Sequence, residues 1–266
     1  MLCWPLFQRE MRANCKVMLI FCGVFTLYGA VIISMFDPKL GDTLNAMAAS
    51  MPELFAAFGM SNPGATMLEF LVNYLYGFLF LVFPVVMILI LVNRLIVRYV
   101  DRGAMAWLLA SPHSRRTLAL TQGKTLGLLV LLLTVYATVM CLSLSQLMFP
   151  GALETGPFLQ VNVGLLGMLL FFAGLCFASA CVFTESRFSL GVGGGLCAAF
   201  LLIRMLGQVS EKLDFLRWLT PTSLFDAYGI AAGDPGALAQ TGLLYLGAAA
   251  LFLAGIWRFS RKDLCL

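Results

Sequence analysis

The sequence predicts an all-α, polytopic membrane protein with six transmembrane helices, and three observations point to that class. The 266-residue chain is 61% hydrophobic and only 11% charged, whereas soluble domains carry about 25% charged residues. Its mean hydropathy is +0.94. Six apolar stretches approach the roughly 20 residues that a helix needs to cross a bilayer.

The six predicted spans are continuous apolar runs, unlike the alternating ten-residue segments of a membrane β-barrel. A helix also satisfies each backbone N–H and C=O within its own segment, as lipid requires. The spans are predicted at residues 17–35, 70–97, 125–148, 159–183, 190–205 and 241–259, and the second of them contains Pro84.

The segments between the spans suggest one membrane domain over residues 1–266. Residues 1–16 are predicted to form an amphipathic interface helix, and residues 98–124 a cytoplasmic loop. Residues 36–69 and 209–240 are predicted to be external loops. In the last of these, Trp218, Phe225 and Tyr228 fit the aromatic belt found at membrane surfaces.

The charges predict the orientation of the chain. With both termini in the cytoplasm, thirteen of the 17 Lys and Arg residues fall on or near cytoplasmic segments. Nine of the 13 acidic residues fall outside. This asymmetry follows the positive-inside rule. Insertion topology therefore explains the basic residues, with membrane lipid as their partner and no nucleic acid.

The sequence lacks the residue clusters of a metal site or a disulfide framework. All eight cysteines fall in spans or on the cytoplasmic side, no CxxC pair occurs, and His113 is the single histidine. We therefore expect no metal ion on this chain.

One short stretch, Gly123-Lys124-Thr125, matches the end of a nucleotide-binding P-loop. That motif requires a glycine five residues before its second glycine, so that backbone N–H groups can cradle phosphates. Leu118 occupies that position, and a membrane-grade apolar run follows. We therefore expect a cytoplasmic loop re-entering the bilayer here, with no bound cofactor.

The loop between the second and third spans carries the most informative pattern. Asp101, Arg102 and Gly103 interrupt the apolar sequence, and a short apolar face with Trp107 follows. Ser111-Pro112 ends that element, because proline disfavours helix at the preceding residue. Ser114 is then predicted to cap the next helix. The result is either a rigid knob for a groove in another protein or a connector resting on lipid headgroups.

This pattern and the six-span layout resemble the permease subunits of ABC transporters of the type 2 export class. The loop of that family carries an acid, a glycine, two leucines, Ser-Pro, Ser-Arg and a lysine. The matching residues are Asp101, Gly103, Leu108, Leu109, Ser111, Pro112, Ser114, Arg115 and Lys124. The family more usually has Glu at the first position. The segments "LDFLRWLTPTSLFDA" and "RFSRKDL" also resemble the family.

The resemblance implies a permease that forms a translocation pathway and is not itself an enzyme. Its partners would be a second permease, as a homodimer or a paralogous heterodimer, and a separate cytoplasmic ATP-binding subunit. ATP and magnesium would bind to that subunit. The chain would be a multi-pass protein of the plasma membrane of a bacterium, and the resemblance leaves the exported substrate open.

The same resemblance implies which residues would contact the ATPase. The implied coupling residues are Asp101, Arg102, Gly103, Trp107, Leu108, Leu109, Ser111, Pro112, Arg115 and Arg116. The implied interface-helix residues are Phe7, Arg9, Glu10 and Arg12.

Two other function classes remain as alternatives. A self-sufficient secondary transporter or channel commonly shows inverted repeats with broken helices, and the two halves of this chain show no convincing repeat. An intramembrane enzyme is less favoured, because the predicted spans contain no paired acids and no histidine. Gly191 and Gly195 have the spacing of close helix contacts. The alternatives are packing within the chain, a lateral gate or a dimer face.

Overall fold

The computed structural model describes residues 3–36, 50–51, 66–101, 114–183, 185–209 and 220–261. Within these residues every regular element is helical, and six helices are long and apolar enough to cross a membrane. The predicted fold class is therefore confirmed. The helices are α1 (Trp4–Ser34), α2 (Met67–Val97, continued by Arg98–Asp101), α3 (Arg115–Met148), α4 (Thr155–Val182), α5 (Ser186–Val209), the short α6 (Ala227–Ala231) and α7 (Pro235–Arg261).

The helices extend beyond the predicted spans, most clearly at the start of α1 and α3. The apolar run marks only the part of a helix that contacts lipid, whereas backbone hydrogen bonding continues through polar flanks. With 31 residues, α1 is about 46 Å long at 1.5 Å per residue, against a hydrocarbon core of about 30 Å. The described part of the predicted interface helix forms the first turns of α1, without a break. Its orientation to the membrane remains a prediction.

Local hydrogen bonds explain where several helices begin. Thr66 and Glu69 form a capping box at the start of α2. The side chain of Ser114 accepts a hydrogen bond from the backbone N–H of Thr117 at 3.2 Å, and so caps α3. The sequence-based prediction that Ser114 is a helix cap is thus confirmed.

The second span is not a regular α-helix. It contains two π-helical segments, Val72–Leu79 and Asn93–Val97, on either side of Pro84. Short π-helical insertions in α-helices frequently occur at functional sites. In this chain the first segment contains Asn73, and the second contains Arg94.

Helix α4 forms the centre of the bundle and packs most extensively against α7. Small residues allow this close contact. A Cβ added to Gly174 of α4 would lie 3.1 Å from the carbonyl oxygen of Ala248. A Cβ added to Gly255 of α7 would lie 2.8 Å from the ring of Phe177. A Cβ at either position would require the neighbouring atoms to shift.

The P-loop-like stretch lies inside α3. The hydroxyl of Thr125 donates a hydrogen bond to the carbonyl of Thr121 at 2.8 Å. Gly123 faces the ring of Phe177, which would lie 3.3 Å from an added Cβ. Because the backbone N–H groups of a helix interior donate to carbonyls one turn earlier, they cannot cradle phosphates here.

The predicted aromatic belt after α5 is wrong for Phe225. This side chain is only 2% exposed, and it packs against Gly164 of α4. Tyr228 is half-buried, and its hydroxyl donates a hydrogen bond to the side-chain oxygen of Asn73. Trp218 lies outside the described residues. Sequence gave no means to distinguish ring burial against a glycine from a position at the membrane surface.

Candidate coupling surface where α1 joins α2 and α3

The first turns of α1 are attached to α3. The backbone N–H of Cys3 donates a hydrogen bond to the hydroxyl of Thr121 at 3.1 Å. Next to this bond, Cys3 and Leu6 of α1 form a small buried apolar cluster with Leu118 of α3. The start of α1 is therefore held by both a hydrogen bond and apolar packing against the first turns of α3.

The next turns of the same helix are attached to the end of α2. The hydroxyl of Tyr99 donates a hydrogen bond to the carboxylate of Glu10, which is 4% exposed. One turn further along, Arg94 donates from Nη1 to Oδ1 of Asn14 at 3.3 Å and to the carbonyl of Ala13 at 3.4 Å. Thus α1 bridges α2 and α3, the two helices that flank residues 102–113.

Burial disfavours the charged form of Glu10, and its surroundings offset this cost only in part. A buried charge is costly unless it is paired or hydrogen-bonded, and Glu10 has Tyr99 as a donor with Arg9 and Arg94 as favourable charges. Burial, followed by the hydrogen bond to Glu10, raises the pKa of Tyr99 to about 12. Tyr99 therefore remains a protonated donor at neutral pH.

A cavity of about 290 Å³ lies at this junction of α1 and α2. It is lined by Arg9, Glu10, Ala13, Asn14, Arg94, Arg98 and Tyr99. We call it the basic cavity, since three of its lining residues are arginines.

The structure describes only some of the residues predicted to contact an ATPase. Asp101 is the last residue of α2, while Arg115 and Arg116 open α3, half-buried and exposed respectively. The remaining predicted coupling residues lie outside the described residues; they are Arg102, Gly103, Trp107, Leu108, Leu109, Ser111 and Pro112.

All four predicted interface-helix residues lie on α1, but they do not share one environment. Arg9 and Glu10 line the basic cavity. Phe7 is half-buried and stacks on Trp4, with ring centroids 5.6 Å apart. Arg12 is exposed and does not line the cavity. Of the four, Glu10 is the residue that is hydrogen-bonded to α2 within the described part of the chain, through Tyr99.

Sequence reasoning missed the partners of this helix, although a signal was present. Glu10 and Asn14 are four residues apart, as are Arg94 and Arg98. Residues at that spacing share a helix face. An acidic and amide pair on one helix and a basic pair on another could have suggested the contact. Neither Tyr99 nor Thr121 carries any such pattern.

A second polar cluster lies near the opposite end of α2. Tyr76, 1% exposed, donates a hydrogen bond from its hydroxyl to Oδ1 of Asn162 on α4 at 2.9 Å. Asn162 in turn donates to the carbonyl of Phe158 at 2.9 Å. With the bond from Tyr228 to Asn73, these contacts tie the first π-helical segment to α4 and α6.

A comparison with protein families shows the family of this chain. The family model described as ABC-2 family transporter protein matches residues 9–264. The chain belongs to the ABC-2 transporter family. The match covers every described helix except the first turns of α1, so all six spans are part of an ABC-2 permease. A comparison with curated proteins gives no match.

Membership of this family confirms the resemblance found in the sequence. The chain is a multi-pass membrane protein and an ABC transporter permease, a transport component of the membrane. Permeases of the ABC-2 family generally work with an ATP-binding subunit.

Proposed function

We propose that this ABC-2 permease forms the translocation pathway of an ATP-driven exporter and receives force from a separate ATP-binding subunit. The observation that supports this proposal is the bridge made by α1. It contacts α2 through Glu10 and Asn14, and α3 through Cys3 and Leu6. These are the two helices that lead into and out of residues 102–113.

The bridge gives a route by which a displacement of residues 102–113 would move three helices together. In the proposal, ATP draws two ATP-binding subunits together, and the apolar face with Trp107, Leu108 and Leu109 is seated in a groove of one of them. Its displacement passes to the ends of α2 and α3. Because α1 is bonded to both, it moves with them. Loss of the apolar face would uncouple transport and leave the bundle folded.

Charge at the start of α3 is proposed to set the docking register. Arg116 is exposed and Arg115 half-buried at the first two positions of that helix. Charges at the rim of an interface contribute more to specificity and association rate than to affinity. We expect acidic residues on the ATP-binding subunit opposite them, together with bound ATP and magnesium.

The second permease of the complex is proposed to pack on α5. Cβ atoms added to Gly191 and Gly195 would meet nothing within 4 Å. By contrast, a Cβ on Gly193 would lie 3.2 Å from Cys176, and one on Gly194 would lie 3.0 Å from Leu89. One glycine face thus packs inside the chain. The other is open to a homodimeric or paralogous subunit, beside the exposed side chains of Phe188, Val192 and Leu196.

The remaining features of the proposal follow from the charge distribution and the family. The chain would lie in the plasma membrane of a bacterium with both termini and residues 98–124 in the cytoplasm, where the ATP-binding subunit is. The six candidate membrane helices of the described residues are an even number, which would put both termini on the same side of the membrane. The positive-inside rule favours the cytoplasmic side for them.

Co-purification tests this function. The chain is expressed with an ATP-binding subunit encoded in the same operon and purified through a tag on the permease. The variant Arg115→Glu with Arg116→Glu is compared with Arg187→Glu with Arg258→Glu. Arg187 and Arg258 are exposed and predicted to be cytoplasmic. The control variant therefore reverses the same number of charges on the same predicted side of the membrane, away from the start of α3.

We expect the wild type and the control to retain the ATP-binding subunit. The amount that co-purifies with the variant at the start of α3 should be at least tenfold lower. Equal retention by all three would argue against docking there. Transport driven by an ion gradient in vesicles that contain this chain alone would favour the secondary transporter instead.

A further inference from the structure

The basic cavity brings three arginines close to one carboxylate. Arg9 of α1 and Arg94 and Arg98 of α2 line it, together with Glu10. With Glu10 ionised, the formal charge of these four side chains is still positive. A ligand of the basic cavity should therefore be an anion.

The arginines retain donors for such a ligand. Both hydrogen bonds of Arg94 within the described residues come from Nη1, and a guanidinium has five N–H donors. Arg9 and Arg98 are exposed on the rim. The hydroxyl of Tyr99 is engaged with Glu10. Guanidinium groups bind phosphate oxygens in pairs of parallel hydrogen bonds, which makes phosphate the best-matched anion.

The cavity lies at the depth of lipid headgroups. Leu19 and Ile20 of α1 are 65% and 64% exposed, as expected for side chains that contact lipid tails. Arg12 and Lys16, which precede them, are also exposed and carry charge. The boundary of the hydrocarbon core therefore falls within a turn or two of Asn14. The headgroup layer extends about 5–8 Å beyond it.

The size of the cavity agrees with a headgroup. Sites for small molecules usually measure about 300–1,000 Å³, and this one measures about 290 Å³. It can accept a phosphate and the atoms next to it, while the acyl chains of a lipid would remain among the exposed apolar side chains of α1. Basic pockets between membrane helices on the cytoplasmic side are known to suit anionic headgroups.

We propose that the basic cavity is a phosphate-binding site for the headgroup of an anionic lipid of the cytoplasmic leaflet. Arg94 holds the phosphate from α2, while Arg9 and Arg98 attract it at the rim. The bound lipid links α1 to α2 beside the Tyr99–Glu10 bond. This site is independent of whether an ATP-binding subunit docks at residues 102–113.

The test uses the full chain, purified without any ATPase and placed in nanodiscs with equal amounts of phosphatidylglycerol and phosphatidylcholine. After extraction, native mass spectrometry counts the lipids retained. The variant Arg9→Gln with Arg98→Gln is compared with Arg187→Gln with Arg258→Gln. Both remove two exposed arginines, but only the first pair lines the cavity.

We expect the wild type and the control to retain more phosphatidylglycerol than phosphatidylcholine. The cavity variant should retain at least five-fold less phosphatidylglycerol than the wild type. A further variant, Arg9→Lys with Arg98→Lys, keeps the charge and should retain most of the lipid. Because the Lys and Gln variants change the same two positions, the Lys variant also shows whether substitution at these positions disturbs folding. Equal retention by the cavity variant and the control overturns the site.

A parallel experiment distinguishes the source of the phosphate. Inorganic phosphate at millimolar concentration is added to the protein in a neutral detergent without anionic lipid, and binding is followed by calorimetry. A lipid site predicts little heat, since the depth of the cavity favours a membrane ligand. Strong binding that the cavity variant abolishes, without any lipid preference, would overturn the lipid assignment and leave a site for free phosphate.

Discussion

The hydroxyl of Tyr99, at the end of α2, donates a hydrogen bond to the buried carboxylate of Glu10, 89 positions earlier in the chain. It joins the start of the first membrane helix to the last turn before residues 102–113. A segment that sequence alone suggested would lie flat on the membrane is thus part of the joint between two helices.

Removal of this hydroxyl should loosen the joint. Tyr99→Phe leaves the carboxylate of Glu10 without its donor, and a hydrogen bond to a charged or buried group contributes about 1–3 kcal/mol. We expect a clear drop in the apparent Tm in detergent, followed by tryptophan fluorescence. We also expect weaker stimulation of ATP hydrolysis in the complex.

The matched control for that substitution is Tyr28→Phe. Tyr28 is 43% exposed on α1, and its hydroxyl forms no hydrogen bond within the described part of the chain. Its loss should leave the apparent Tm unchanged. If both variants melt alike, the bond between Tyr99 and Glu10 does not hold α1 to α2.

The polar cluster near the other end of α2 gives a second prediction. Tyr76→Phe removes the donor to Asn162 and leaves its Oδ1 buried. Interhelical hydrogen bonds in membranes are worth about 0.6–2 kcal/mol, so we expect a smaller loss of stability than for Tyr99→Phe. The first π-helical segment should also exchange its amide hydrogens faster in mass spectrometry.

Tyr74→Phe provides the comparison, because Tyr74 lies in the same π-helical segment and its hydroxyl makes no hydrogen bond among the described residues. Exchange in Val72–Leu79 should then match the wild type. Faster exchange in both variants, or in neither, would show that the bond to Asn162 does not order this segment.

A third prediction concerns the open glycine face of α5. Gly191→Leu adds a bulky side chain where the chain itself offers no contact within 4 Å. We expect a folded monomer and loss of the permease pair, measured by native mass spectrometry. Gly242→Leu on α7 starts from an equally open position and should leave the pair intact. A Gly191→Leu variant that still pairs would place the subunit contact elsewhere.

Much of this fold follows from hydrophobic run length alone. Each of the six predicted spans lies within or very near a helix of the structure, because lipid restricts a chain of this composition to helices. The predicted spans begin at residues 17 and 125, well inside α1 and α3, since polar residues continue a helix without an apolar signal. Ser114 was found because helix caps have a short-range chemical signature.

The site was less predictable than the fold. A family pattern indicated Arg9 and Glu10, but their contacts with Arg94 and Tyr99 depend on how two distant helices pack. The π-helical segments that carry Asn73 and Arg94 have no sequence signature. Phe225 was assigned to the membrane surface because aromatic residues are common both there and in cores. Only the packing against Gly164 distinguishes the two.

Photo-crosslinking from residue 107 tests the coupling claim most directly. A benzophenone amino acid replaces Trp107, and membranes that contain the ATP-binding subunit are irradiated. The same group at Leu147 is the control, since that side chain is 80% exposed near the other end of α3. We predict a covalent adduct with the ATP-binding subunit from position 107 and none from position 147. Adducts with lipid alone from position 107, in membranes where the subunit is present, would contradict the account.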